Sequence, residues 1–169
     1  LLYCYIIYDV ISNRKVIVMT KYQSYTHVIR IDKEDCEGIL NNSRCSITSK
    51  IDGTSALVFF DGKEIQCGSR SRQLSKTKDN AGFYKWVHSD NEEAKRLRDF
   101  CKNHENLIVY GEFTGVGSFV GTIKAYDRKA LNHMYIFDVY DYADNRYLAD
   151  DEWRPMLAAY DLEDWFVKL

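Results

Sequence analysis

The chain has 169 residues, one domain's length or two at most, of which 46% are apolar and 28% charged. This balance excludes disordered and fibrous classes, and a single proline with nine glycines leaves no flexible linker or collagen-like repeat. A net charge of −2 excludes a chain that is basic throughout, as a nucleic-acid coat protein would be.

Residues 1–18 read as a β-rich extension, two runs around the turn Ser12-Asn13-Arg14-Lys15. Their longest uncharged run, from Leu1 to Tyr8, is far shorter than the ~20 residues of a membrane helix. It also lacks the basic leader and small-residue cleavage site of a signal peptide, so a soluble protein without a membrane association is expected. No methionine precedes Met19, so the start reads as processed or truncated. The polar stretch 33–38 reads as helix or loop.

A strand–turn–strand pattern follows. Ser46-Ile47-Thr48 leads into Lys50-Ile51-Asp52-Gly53-Thr54, and the apolar run Ala56-Leu57-Val58-Phe59-Phe60 comes next. The turn Asp61-Gly62 sends the chain back through Glu64-Ile65-Gln66-Cys67. Asp-Gly between apolar runs signals a hairpin, because glycine adopts positive φ without steric cost. Two such turns in close succession predict an antiparallel meander, with Lys50 on its first strand.

Residues 91–103 carry the clearest helix signal. Asp90 is the expected cap, Glu92 and Glu93 suit the positive end of the dipole, and Ala94, Leu97, Phe100 and Cys101 form one apolar face. Leu107-Ile108-Val109-Tyr110 reads as a strand entering Gly111-Glu112, and 134–140 as another, ending at Asp144-Asn145-Arg146. A last helix is expected over 151–160, with Pro155 near its first turn. Strands and helices alternate irregularly, which predicts an α+β fold of antiparallel sheets with packed helices.

Five cysteines without a CxxC pair argue against a disulfide framework and for a reducing, cytoplasmic compartment. The four histidines show no metal-ligand spacing, so no metal site is assigned to protein side chains. Charge is uneven: 61–88 is net +3 and 138–169 net −6. A basic middle beside an acidic tail can hold phosphate locally, although two solvated faces explain the same pattern.

Lys50, directly before Asp52-Gly53 and flanked by apolar runs, is the first chemical candidate. An ordinary lysine is neutral in only about one molecule in 2,500 at pH 7, so a nucleophilic role needs burial or a neighbouring cation. Taken alone, the four residues describe a plain hairpin with a solvated lysine. Three further segments stand in order behind it: Gly68-Ser69-Arg70-Ser71-Arg72, Val109-Tyr110-Gly111-Glu112 and Tyr135-Ile136-Phe137-Asp138-Val139.

Together these segments resemble the covalent nucleotidyltransferase superfamily of RNA ligases, DNA ligases and mRNA capping enzymes. The likeness is closest to ATP-dependent RNA ligases of the phage type. It runs from about Lys21-Tyr22 to Leu169 and includes Glu37-Gly38-Ile39-Leu40. It implies a partial adenylyltransferase domain over 19–169, of the nucleotidyltransferase (ATP-grasp-like) type. It further implies that Lys50 attacks the α-phosphate of ATP and carries AMP, with Mg²⁺ bridging the phosphates. Arg70 would then bind phosphate or the RNA terminus, Glu112 the ribose hydroxyls, and Phe137 would stack on adenine. Ile51 and Ser55 would complete the nucleotide pocket. Arg70, Arg72, Lys76 and Lys78 would steer RNA carrying 5′-phosphate and 3′-hydroxyl ends, with Lys124, Arg128 and Lys129 extending that surface. No obligate protein partner is evident.

The chain departs from the family pattern at Ser55, where such ligases carry arginine or asparagine, and at Ser49, where many carry glutamate. The last two family motifs, an acidic-Gly strand and a Lys-x-Lys strand, are not found before Leu169. A non-catalytic nucleotide- or RNA-end-binding module, a DNA ligase or capping enzyme, and a β-rich domain without a pocket are the alternatives. Strand alternation expects Tyr135 and Val139 on the face of Phe137 with Asp138 pointing away, and Tyr110 on the face of Glu112 with Val109 and Phe113 opposite.

Overall fold

The computed structural model describes residues 22–26, 48–115 and 127–168, with the backbone of 6–8 and 15–17. β1 (Ile6–Tyr8) and β2 (Lys15–Ile17) pair antiparallel, Ile6 opposite Ile17, in agreement with the two β-rich runs expected at the N-terminus. The turn expected between them, the stretch 33–38, Glu37-Gly38-Ile39-Leu40, Ser46-Ile47 and Lys124 lie outside the described residues.

The main sheet contains β3 (Thr54–Phe60), β4 (Ile65–Gly68), β5 (Leu107–Phe113), β6 (Met134–Asp141) and β7 (Arg146–Tyr147). Their order is β4-β3-β5-β6-β7, every pair antiparallel, and helices pack on the sheet: the class is α+β. Alternation along each strand builds two apolar faces. Ala56, Val58, Val109, Phe113, Ile136 and Val139 share one core with residues of α1 (Phe83–Val87), α2 (Glu92–Asn103) and α3 (Asp150–Ala158). Leu57, Phe59, Ile108, Tyr110 and Tyr140 form a second cluster, against which Tyr22, Tyr25, Phe137 and Tyr147 pack.

The two Asp-Gly signals have different outcomes. Asp61-Gly62 makes the β3–β4 hairpin: Gly62 has φ +89°, and Asp61 Oδ1 accepts from the N–H groups of Lys63 and Glu64 at 2.9 Å each. Asp52-Gly53 does not make a hairpin. The strands beside β3 are β4 and β5, and the positive-φ glycines among the described residues are Gly62 and Gly82. Gly53 is needed for a different reason: a Cβ there would stand 2.5 Å from the Phe113 carbonyl oxygen. Close approach of neighbouring strands, not turn geometry, requires the glycine.

The face parity expected for β5 holds, since Tyr110 lies in one cluster and Val109 and Phe113 in the other. For β6 it fails. Tyr110 stands opposite Asp138 and Gly111 opposite Ile136, so Phe137 is an extra residue in a β-bulge. The bulge shifts parity by one: Val139 faces the helices while Phe137 packs with the second cluster. Alternation from Phe137 cannot foresee this, because the inserted residue is visible only in the pairing.

Helix boundaries move slightly. Asn91, not Asp90, caps α2, its Oδ1 accepting from Ala94 N–H at 3.1 Å. Glu93 is not a solvent-facing dipole residue. It is 7% exposed and accepts from Met134 N–H at 3.0 Å, while its other oxygen lies 2.7 Å from His133 Nδ1, tying α2 to the start of β6. Pro155 stands in the interior of α3, which starts at Asp150. No helix among the described residues is long and apolar enough to cross a membrane.

Candidate active site

A cavity of about 1110 Å³ opens where β3 begins and β5 ends. Lys50, Ile51, Ser55, Arg70, Glu112 and Phe137 all line it. A second cavity of about 390 Å³, bounded by Gln66, Gln73, Tyr84 and His88, shares no lining residue with the first.

Lys50 is not on a strand, contrary to expectation. It lies in the segment 48–50, which has no regular secondary structure and where Ser49 N–H donates to the Lys168 carbonyl at 3.3 Å. Residues 166–168 in turn lie along β6, with Phe166 bridged in parallel to Ile136 and Val167 N–H donating to the Ile136 carbonyl at 2.8 Å. The Lys50 side chain is exposed on the cavity rim, so packing does not bury its stem.

Glu112 stands opposite Ser55 across the β3–β5 pair, and its Oε1 accepts from Gly53 N–H at 3.0 Å. Burial pushes its pKa up, the Gly53 hydrogen bond and the charge of Lys50 pull it down, and Asp52 adds to the rise. Glu112 is thus hydrogen-bonded to Gly53 and within reach of the Lys50 charge, although it lies 62 positions beyond Lys50 in the chain.

Arg70 reaches the cavity because β4 ends in a tight turn. Ser69 N–H donates to the Arg72 carbonyl at 2.9 Å, and Gly68 bridges antiparallel to Gln73. Arg72, Lys76 and Lys78 are exposed and do not line the cavity. The Arg72 guanidinium donates to the Asp79 carbonyl at 3.3 Å. The basic stretch therefore divides into one cavity residue and an outer surface.

The bulge turns both Phe137 and Asp138 toward the cavity. Burial raises the Asp138 carboxyl to about 6, against hydrogen bonds from Tyr25 and from its neighbour Val139 N–H, which lower it. Tyr25, Thr26, Asp138, Tyr147, Asp150 and Trp153 also line the cavity, and sequence reasoning singled out none of them. Asp138 was legible as the neighbour of Phe137, but alternation sent it to the wrong face. Tyr25 and Tyr147 carry no local signal. Among the described residues no group of three or more His, Cys, Asp or Glu is arranged to hold a metal ion.

A family model described as RNA ligase matches residues 43–167. The chain belongs to the RNA ligase family. Among solved structures, the chain is similar to Naegleria gruberi RNA ligase with PPi, at 25% identity and TM-score 0.54, over 72% of this chain and 33% of that one. A variant of the same Naegleria gruberi enzyme with AMP and Mn matches at the same identity, TM-score and coverage. Another variant, with ATP and Mn, matches at 21% identity and TM-score 0.52, a likeness of fold. The chain spans about a third of the length of these structures. No curated protein matches the sequence.

Proposed function

We propose that this chain is the nucleotide-binding part of an ATP-dependent RNA ligase, with Lys50 as its nucleophile. The observation that carries the reading is the common cavity of Lys50, Arg70, Glu112 and Phe137, four residues from four separate segments. Chance would scatter them over the surface of a domain this size.

The cavity suits a nucleotide. Its volume of about 1110 Å³ slightly exceeds the ~300–1,000 Å³ of pockets that enclose small ligands. Its wall combines apolar Ile51, Phe137 and Leu148 with charged Lys50, Arg70 and Glu112, as a base with a polyphosphate requires. In this reading Phe137 faces the adenine, Glu112 accepts from the ribose hydroxyls and Arg70 contacts phosphate. The Lys50 amine attacks the α-phosphorus: an N–P bond forms, the bond to the bridging oxygen breaks, pyrophosphate leaves, and the amine's surplus protons pass to solvent. AMP then passes to an RNA 5′-phosphate and is displaced by a 3′-hydroxyl. Mg²⁺, held mostly by phosphate oxygens and water, would offset charge on the pyrophosphate. Arg72, Lys76 and Lys78 form the outer surface along which an RNA backbone would run. Function in the cytoplasm accords with cysteines that form no CxxC pair.

Incubation with α-labelled ATP and Mg²⁺ tests the covalent step. Label that survives denaturation, that γ-labelled ATP does not give, and that Lys50→Ala abolishes is the expected result. ATP binding without retained label would overturn Lys50 as nucleophile and leave a binding module.

A further inference from the structure

We infer that Tyr25 is a positioning residue for the nucleotide base: braced on Asp138, it holds Phe137 at one angle to the cavity. The inference rests on the nucleotide reading above.

Between residues 136 and 139 the outer edge of β6 has no strand paired to it among the described residues. On one side β7 leaves after Tyr140 and Asp141, the last contact being Leu148 N–H donating to the Val139 carbonyl at 2.8 Å. On the other, the segment 166–168 joins at Ile136. The bulge falls in this gap, so Phe137 has no partner on β5, and among the described residues neither it nor Asp138, which stands opposite Tyr110, is paired on the outer side. A bulged residue ordinarily gains freedom with the loss of its ladder partner.

Tyr25 supplies what the ladder does not. Its hydroxyl donates to Asp138 Oδ2 at 2.9 Å, and its ring meets Phe137 nearly edge-on, centroids 5.0 Å apart at 76°. Asp138 Oδ1 accepts from Val139 N–H at 3.0 Å, so the carboxylate is fixed at both oxygens. Tyr25 is itself wedged, with ring centroids 5.1 Å from Tyr110 and 5.4 Å from Tyr147. Beside it, the Thr26 and Tyr147 hydroxyls lie 2.6 Å apart. Tyr25, Thr26, Phe137, Asp138 and Tyr147 all line the cavity of Lys50.

A hydrogen bond to a carboxylate is about twice as strong as a neutral one, and edge-to-face ring contact is directional. Burial and the Asp138 charge push the Tyr25 pKa up, so the hydroxyl retains the proton it donates. A ring held at a single angle loses less freedom when a base stacks on it.

Two measurements test this. Isothermal titration with ATP compares wild type with Tyr25→Phe, which keeps the ring and removes the hydroxyl. Fluorine NMR follows 4-fluorophenylalanine placed at position 137 alone, without nucleotide. A ~5-fold weaker ATP affinity is expected in Tyr25→Phe, measured at a temperature where both proteins remain folded, together with a fluorine line that broadens or splits. Adding Tyr25→Phe to Asp138→Leu should then weaken ATP binding no further. Equal affinity and an unchanged fluorine line would overturn the inference and leave the ligase reading intact. Absence of ATP binding in the wild type would overturn the nucleotide reading instead, while the fluorine line still reports whether Tyr25 pins the ring.

Discussion

Gly53 shows how a single residue can be read for the wrong reason. It belongs to Lys50-Ile51-Asp52-Gly53, but its role is to let β3 pass within contact of β5 while its N–H holds Glu112. Gly53→Ala should therefore lower stability by ~1–3 kcal/mol, since the clash is with backbone that cannot rotate away, and weaken ATP binding through Glu112. Urea unfolding and titration with ATP measure the two effects. Asp138 makes a second prediction at this scale. Its carboxyl is raised from 3.8 to about 6 in the folded protein. Between those values the folded protein keeps a proton that the unfolded chain releases, so its stabilising contribution is full below pH ~4 and lost as pH rises through ~6. Asp138→Asn should flatten the fall in unfolding free energy across that window. Glu93 and Glu112, also raised by burial, leave a residual slope of the same sign.

At the scale of elements, a buried carboxylate ties α2, whose apolar face packs in the core, to the start of β6. Glu93 accepts from Met134 N–H and pairs with His133, whose ring stacks on Trp165 with centroids 3.8 Å apart. Glu93→Ala leaves a buried donor without a partner and should cost ~1–3 kcal/mol in urea unfolding. Its neighbour Glu92 pairs with Lys95 in solvent, and Glu92→Ala should leave the midpoint almost unchanged. The contrast separates docking from helix-dipole effects, which both residues share. The bulge in β6 is the other element-level device, because it converts one inward position into two, Phe137 and Asp138.

For the whole molecule, the arrangement is a sheet with one face covered by helices and the other, rich in tyrosine, leading into the cavity. Arg70 lies inside that cavity while Arg72, Lys76 and Lys78 lie outside it. Binding of single-stranded RNA should weaken with salt, and each of Arg72→Ala and Lys76→Ala should reduce the log–log salt slope by about 0.7. Arg70→Ala should instead weaken ATP binding. Filter binding across a salt series distinguishes the two. Among the described residues, β1 and β2 pair with each other and not with the main sheet. We propose that the chain lacking 1–18 unfolds at the same urea concentration as the whole chain, which circular dichroism checks.

Most elements, the α+β class and the four chemical segments were legible in the amino-acid sequence alone, because apolar periodicity, Asp61-Gly62 and helix caps act over a few neighbouring residues. The family resemblance was legible for the same reason, being carried by short motifs around Lys50, Arg70, Glu112 and Phe137. Only the tertiary structure decided that Gly53 serves close packing, that Glu93 is buried, and that Asp138 turns inward beside Tyr25. These depend on partners 40 or more positions away, or on a bulge that exists only once β5 and β6 are paired. Local chemistry selects elements; register and long-range burial select which side chains meet.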